Sequence, residues 1–86
     1  ILIVDDEVQL VKAVSAILKK NNFNTDYALD GEDGLDKALS NIYDVIILDI
    51  MLPKMDGYEI IKELRNNRIS TPVLMLSAKS QTYDII

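Results

Sequence analysis

The amino-acid sequence predicts an α/β domain of the doubly wound type, in which a parallel sheet is covered by helices on both faces. Short apolar runs rich in β-branched residues alternate with segments whose apolar residues recur at helical spacing. The apolar runs contain few polar positions, as strands buried on both faces require. The segments between them are long enough for right-handed crossover helices, so successive strands can lie parallel.

Each element has its own signal. Strands are predicted at residues 1–4, 45–48 and 73–76, and a weaker, alternating one at residues 24–29. The first helix should end at Asn21-Asn22. The residues that recur at helical spacing are Leu10, Val11, Val14, Ile17 and Leu18 in the first helix, Leu35, Ala38 and Leu39 in the second, and Ile60, Ile61 and Leu64 in the third.

Two Asp-Gly pairs mark the starts of the second and third helices. Asp30 can cap the second helix, in which Gly34 is unfavourable. Asp56 precedes Gly57 and is expected to serve as turn and cap of the third helix, which should end near Asn66-Asn67. Pro72 introduces the fourth strand.

Composition excludes several classes of function. The 86 residues make one small domain, and 49% hydrophobic with 27% charged residues is typical of a soluble globular protein. The absence of cysteine and histidine excludes disulfides, thiolate zinc sites and a histidine base. A net charge of -5 argues against direct nucleic-acid binding by this domain, because phosphate contacts need a basic face. No apolar run approaches the roughly 18 residues of a membrane span.

Polar residues follow three of the predicted strands. Asp5 and Asp6 come after the first strand, Asp49 after the third, and Ser77 after the fourth. Ligands of open parallel sheets bind at the carboxyl ends of the strands. If the second strand lies outside the first, the first and third strands are neighbours and three carboxylates converge. Such repulsion disfavours ionisation unless a divalent cation relieves it, and an all-oxygen site suits Mg²⁺.

Three segments together resemble the receiver domain of bacterial two-component response regulators: ILIVDDE (1–7), DVIILDIMLPKMDG (44–57) and PVLMLSAK (72–79). The resemblance covers the whole chain. It implies a flavodoxin-like (βα)5 fold with strand order 2-1-3-4-5, of which the first four strands and three helices are expected here. The MLPKMDG continuation resembles receivers attached to winged-helix DNA-binding domains, which implies transcription regulation.

The resemblance also implies a role for individual residues. Asp49 would be the phosphoacceptor for a histidine kinase, Ser77 the switch hydroxyl, and the Ala78 amide would help to hold the phosphoryl oxygens. The domain would catalyse only its own phosphorylation and dephosphorylation, in the bacterial cytoplasm, and would act on a covalently linked effector. The implied Mg²⁺ ligands are the carboxylates of Asp6 and Asp49, Asp5 directly or through water, and the backbone carbonyl of Met51.

Receivers also carry an aromatic switch residue on a fifth strand and, after that strand, a lysine that pairs with the phosphoryl group; this strand would follow Ile86. We therefore expect residues 1–86 to be a receiver domain that is incomplete at its C-terminal end, and clipped before residues 1–4 because no Met precedes them. The outer edge of the fourth strand is then expected to be open. An open apolar edge recruits another chain, so a homodimer is one expected partner state.

Two alternatives stay open at the level of sequence. A pseudo-receiver would be an interaction module without phosphate chemistry, and Mg²⁺ titration separates it from a phosphoacceptor. A phosphatase with an aspartyl nucleophile also places Asp after an apolar strand, but it normally has a second acid two residues later, where this chain has Met51. Asp5-Asp6 taken alone would be read as acids at a helix start.

Overall fold

The computed structural model describes residues 1–76 and the backbone of residues 82–85. Within these residues the prediction of alternating strands and helices is confirmed. No helix in this part of the chain is long and apolar enough to cross a membrane. The elements in chain order are β1 (Leu2–Val4), α1 (Val8–Lys20), β2 (Asp26–Ala28), α2 (Gly31–Leu39), β3 (Ile46–Asp49), α3 (Gly57–Asn66), β4 (Val73–Leu76) and β5 (Thr82–Ile85).

The sheet has the strand order β2-β1-β3-β4-β5. The first four strands are parallel, so the predicted order 2-1-3-4 is confirmed. β5 was not predicted: it runs antiparallel to β4 along the edge that we expected to be open. Only residues 77–81 connect the two strands, and a connection this short suits an antiparallel pair, since a parallel pair needs a crossover of a dozen or more residues.

Both predicted helix caps are confirmed. The Asp30 carboxylate accepts a hydrogen bond from the Asp33 amide at 2.8 Å, and the Asp56 carboxylate accepts one from the Glu59 amide at 2.9 Å. These acids satisfy amides that have no partner within the helix, and they complement the positive end of the helix dipole. Each cap therefore fixes where its helix begins beside the preceding strand or loop.

The sheet face toward α2 and α3 forms the main core. Two rows of paired residues point to this face, because Cα partners in register point their side chains the same way. These residues are Leu2, Ile46 and Val73 in one row and Val4, Leu48 and Met75 in the other. Every one of them is at most 3% exposed. The core cluster consists of Leu2, Val4, Ala28, Ala38, Ile46, Leu48, Ile60, Leu64, Ile69, Val73 and Met75.

The opposite face, toward α1, is less completely covered. Ile3 and Val11 are buried there, whereas Ile47 and Leu74 are half-buried. In α1 itself Val11 is the buried apolar residue, and Ile17 is 63% exposed. The apolar runs of β3 and β4 predicted burial on both faces, and the structure buries one face fully and the other partly.

Candidate functional site

The carboxyl ends of β1 and β3 bring three acids together. Val4 is paired with Leu48, so the next residues, Asp5 and Asp49, lie side by side where these neighbouring strands end. Carboxylate oxygens of Asp5, Asp6 and Asp49 all lie within 4.8 Å of one another. The convergence that the sequence predicted is therefore confirmed for these three residues.

The three carboxylates differ in their surroundings. Asp5 is only 6% exposed, and its Oδ1 accepts a hydrogen bond from the Glu7 amide at 2.9 Å, which fixes its orientation. Asp49 is half-buried and accepts a weaker hydrogen bond from the Met51 amide at 3.3 Å. Asp6 is exposed. The site thus combines a buried, hydrogen-bonded acid (Asp5), a half-buried acid (Asp49) and a solvent-facing acid (Asp6).

Electrostatics single out Asp49 among these acids. Burial raises the pKa of its carboxyl group, and the charges of Asp5, Asp6 and Glu7 raise the pKa further, against the lowering effect of the hydrogen bond from Met51. A perturbed acid in a cluster at a strand edge is a common property of functional sites. Ionisation is therefore less favourable here than for an isolated carboxyl group, and a bound cation would offset the negative charge.

The loop between β3 and α3 continues directly from Asp49. The Ile50 amide donates to the Leu76 carbonyl at 3.0 Å, and the Gly57 amide donates to the Ile50 carbonyl at 2.8 Å. A Cβ atom at Gly57 would lie 2.9 Å from the Asp49 carbonyl oxygen, so only glycine allows α3 to begin this close to the site. Both ends of the loop are therefore anchored.

A shallow groove runs beside the carboxylates. Met51 and Tyr58 are 69% and 60% exposed on its walls. Apolar side chains next to an acid cluster give an approaching partner both a surface to pack against and a charge to recognise. The residues that line the groove are Asp6, Ile50, Met51, Leu52, Pro53, Asp56 and Tyr58.

Some predicted site residues are placed and others are not. Met51 lies two residues after Asp49, with its amide on the Asp49 carboxylate; the role of its carbonyl stays a prediction. Ser77 and Ala78 follow Leu76, which is paired with Asp49, but both lie outside the described residues. Their roles stay predictions as well.

Sequence reasoning missed Glu7. It completes the run Asp5-Asp6-Glu7, its amide orients Asp5, and its charge raises the pKa of Asp49. The signal was visible in the sequence, because a third acid directly follows the two that were chosen. Acids are common at helix starts, so the residue type alone does not mark Glu7 as part of the site.

Comparison with known proteins agrees with this geometry. Residues 1–86 match the family described as the response regulator receiver domain. The chain is 51% identical over 84 residues to the response regulator ArlR of Staphylococcus aureus, covering 98% of this chain and 38% of that protein. It is 44% identical over 84 residues to the transcriptional regulatory protein DltR of Streptococcus agalactiae, with the same coverage. The chain thus spans less than half the length of these curated relatives.

A solved structure is similar as well. The Francisella response regulator 1452 receiver domain superimposes with a TM-score of 0.86 at 36% identity, over 93% of this chain and 66% of that chain. The similarity therefore extends over nearly the whole chain.

Proposed function

Because the chain belongs to the response regulator receiver domain family, we propose that Asp49 accepts a phosphoryl group from a sensor histidine kinase in a Mg²⁺-dependent reaction. The observation that carries this proposal is the meeting of Asp5, Asp6 and Asp49, with carboxylate oxygens within 4.8 Å of one another. Burial and the neighbouring negative charges also raise the pKa of Asp49. Residues 1–86 then act as a phosphoacceptor unit and not as an enzyme with an external substrate.

The donor set fits Mg²⁺. Hard divalent cations prefer carboxylate and carbonyl oxygens, and Mg²⁺ is usually held by one or two protein carboxylates together with waters and phosphate oxygens. Asp6 and Asp49 would hold it directly, Asp5 directly or through water, and the Met51 carbonyl would complete the protein ligands. When bound, the ion supplies positive charge where negative charge develops on the transferred phosphoryl oxygens.

The protein residues supply position and orientation. One Oδ atom of Asp49 forms the new P–O bond as the P–N bond of the phosphorylated kinase histidine breaks, and the electron pair of that bond stays with the imidazole nitrogen. A carboxylate is a weak nucleophile, so most of the rate must come from placement and charge neutralisation. The Glu7 amide holds Asp5, and the Met51 amide holds Asp49, before the partner arrives.

The response to phosphorylation would be read by residues that follow β4. We propose that the Ser77 hydroxyl and the Ala78 amide bind the phosphoryl oxygens, which would bias the chain after Leu76 toward one conformation. A hydrogen bond to a charged group contributes about 1.5–3 kcal/mol, enough to shift a two-state equilibrium whose gap is small.

The proposed partners, an effector domain and a sensor kinase, are those of the intact protein. The relatives ArlR and DltR are named as a response regulator and a transcriptional regulatory protein, and the chain covers 38% of each. We therefore propose that the intact protein carries an effector domain, DNA-binding in type, and works with a sensor kinase in the bacterial cytoplasm. A homodimer stays a prediction.

Labelling with a small phosphodonor tests the proposal. Incubation with acetyl phosphate and Mg²⁺ should add one alkali-labile phosphoryl group, and Asp49→Asn should abolish it. Asp44→Asn is the matched control, because Asp44 is exposed and precedes β3 at the other end of the strand. A label that persists in Asp49→Asn, or that survives alkali, would show that the acceptor is another group.

A further inference from the structure

The loop that follows Asp49 is held from outside as well as at its ends. We propose that Gly31 and Asp30, at the start of α2, are positioning residues that set the course of residues 50–56 and thereby the geometry of the cation site. This inference rests on the proposed function. The residues concerned touch neither the acceptor nor the cation; they act through the loop.

A hydrogen bond and an ion pair make the connection. The Gly31 amide donates to the Pro53 carbonyl at 3.2 Å, and the Asp30 carboxylate lies 3.6 Å from the Lys54 ammonium. Lys54 has a φ of 72°, in the left-handed region that residues other than glycine rarely adopt. Contacts with α2 therefore help to stabilise this backbone conformation of the loop. The Pro53 carbonyl also accepts the Met55 amide at 2.9 Å, which tightens the same turn.

The hydrogen bond to Pro53 satisfies the Gly31 amide, which has no acceptor within its own helix. Gly31 is the first residue of α2, and amides in the first turn have no carbonyl partner inside the helix. The Asp30 side chain is already used by the Asp33 amide. The Pro53 carbonyl is thus the partner that the fold provides for this amide, which ties α2 to the loop.

The approach at Gly31 is too close for any side chain. A Cβ atom there would lie 2.0 Å from the Met55 carbonyl oxygen and 2.8 Å from the Met55 Cβ, so the loop backbone or the start of α2 would have to shift. Gly34, one turn later, offers a contrast. A Cβ atom there would meet the Val4 Cγ1 at 2.6 Å, in the core between α2 and β1 and away from the loop.

A shift at Met55 has to be absorbed between the loop's two anchors. Ile50 is bound to Leu76 and to Gly57 through its amide and carbonyl, so residues 51–55 take up the displacement. Met51 is in this segment, and its amide donates to the Asp49 carboxylate. Contacts that orient metal ligands without touching the metal typically change affinity by about 10–100-fold when they are lost.

The test compares two glycine variants that strain α2 at different places. Mg²⁺ affinity is measured from amide chemical shifts of Asp49 and Met51 in wild type, Gly31→Ala and Gly34→Ala, alongside the melting temperature of each without Mg²⁺. Both variants should melt lower. Only Gly31→Ala should raise the Kd for Mg²⁺, by about tenfold or more; Gly34→Ala should stay within about twofold of wild type.

Two further measurements keep the inference decidable if Gly31→Ala does not fold. Asp30→Asn retains a good N-cap but loses the charge that faces Lys54, and it should raise the Kd by about two- to fivefold. In the wild type, hydrogen exchange of the Gly31 amide should be slow although it is in the first helical turn.

The outcomes separate this inference from the proposed function. Equal Mg²⁺ affinities in Gly31→Ala and Gly34→Ala, or an unprotected Gly31 amide, would overturn the positioning role while leaving Asp49 as the acceptor. A wild type whose Asp49 and Met51 amides do not respond to Mg²⁺ would overturn the cation site and, with it, this inference.

Discussion

Neutralising Asp49 should stabilise the protein when no divalent cation is present. Asp49→Asn keeps the size of the side chain and keeps an oxygen that can accept the Met51 hydrogen bond. It removes the negative charge that faces Asp5 and Asp6 at 4.8 Å or less. This substitution in the candidate site is therefore expected to raise the free energy of unfolding.

The magnitude follows from the distance between the acids. Two unit charges 4.8 Å apart repel by about 3.5 kcal/mol at an effective dielectric constant of about 20 and by about 0.9 kcal/mol in bulk water. Asp5 is buried and Asp49 half-buried, so the Asp5 pair lies between these limits. The hydrogen bond from Met51 weakens when its acceptor loses its charge, which offsets part of this repulsion. We therefore expect a gain of about 1 kcal/mol at neutral pH, and a domain of this size melts about 4–8 °C higher for each kcal/mol.

The pH dependence has a defined sign. The pKa of Asp49 is raised in the folded protein above its ordinary value of 3.8. Below pH 3.8 the carboxyl group is protonated in both the folded and the unfolded chain, so wild type and Asp49→Asn should differ little. As the pH rises through the folded-state pKa, the group ionises and wild type loses stability relative to the variant.

Chemical denaturation in EDTA, at pH 7 and near pH 3, measures this difference. Asp44→Asn controls for the change in net charge, since Asp44 is exposed and remote from the cluster. An Asp49→Asn protein that is less stable than wild type at pH 7, or a gain equally large near pH 3, would refute the electrostatic reasoning.

Three other perturbations have defined outcomes. Added Mg²⁺ should raise the melting temperature of wild type, and Asp6→Asn should lose most of that gain; an equal shift in both proteins would argue against the site. Leu48→Ala should cost about 2–5 kcal/mol in urea denaturation, because Leu48 is fully buried in the main core; a loss below 1 kcal/mol would mean that the core relaxes around it. Asp56→Ala should cost about 1 kcal/mol through its lost cap, measured in the same way, and an unchanged midpoint would contradict the capping role.

The parallel strands and the helix starts could be predicted from the amino-acid pattern alone. Residues 45–48 and 73–76 are apolar runs of the kind that strands in a covered parallel sheet require. Asp30 and Asp56 carry the cap signal in their residue type and position. The pattern also predicted the acid cluster, once β1 and β3 were taken as neighbours, because residues that follow parallel strands share one edge of the sheet. These inferences depend on local residue patterns and on the order of the elements along the chain, both of which the sequence contains.

Burial of individual residues and pairing at the sheet edge depend on contacts between segments that are far apart in the chain, so they became visible only in the tertiary structure. The alternation in residues 24–29 did not show that Ala28 would be buried while Tyr27, on an edge strand, is half exposed. The unequal cover of the two sheet faces and the pairing of β5 with β4 likewise have no local signature.

The same holds for the fine structure of the site. In the sequence, Gly31 is an ordinary residue after a helix cap. In the structure, the Met55 carbonyl oxygen lies only 2.0 Å from where a Cβ atom of residue 31 would be, so this approach requires glycine. Asp5, Asp6 and Asp49 are the same residue type in the sequence, and only the folded structure shows that burial and neighbouring negative charges raise the pKa of Asp49. Such differences arise from desolvation and from Coulomb interactions, which act through space and not along the chain.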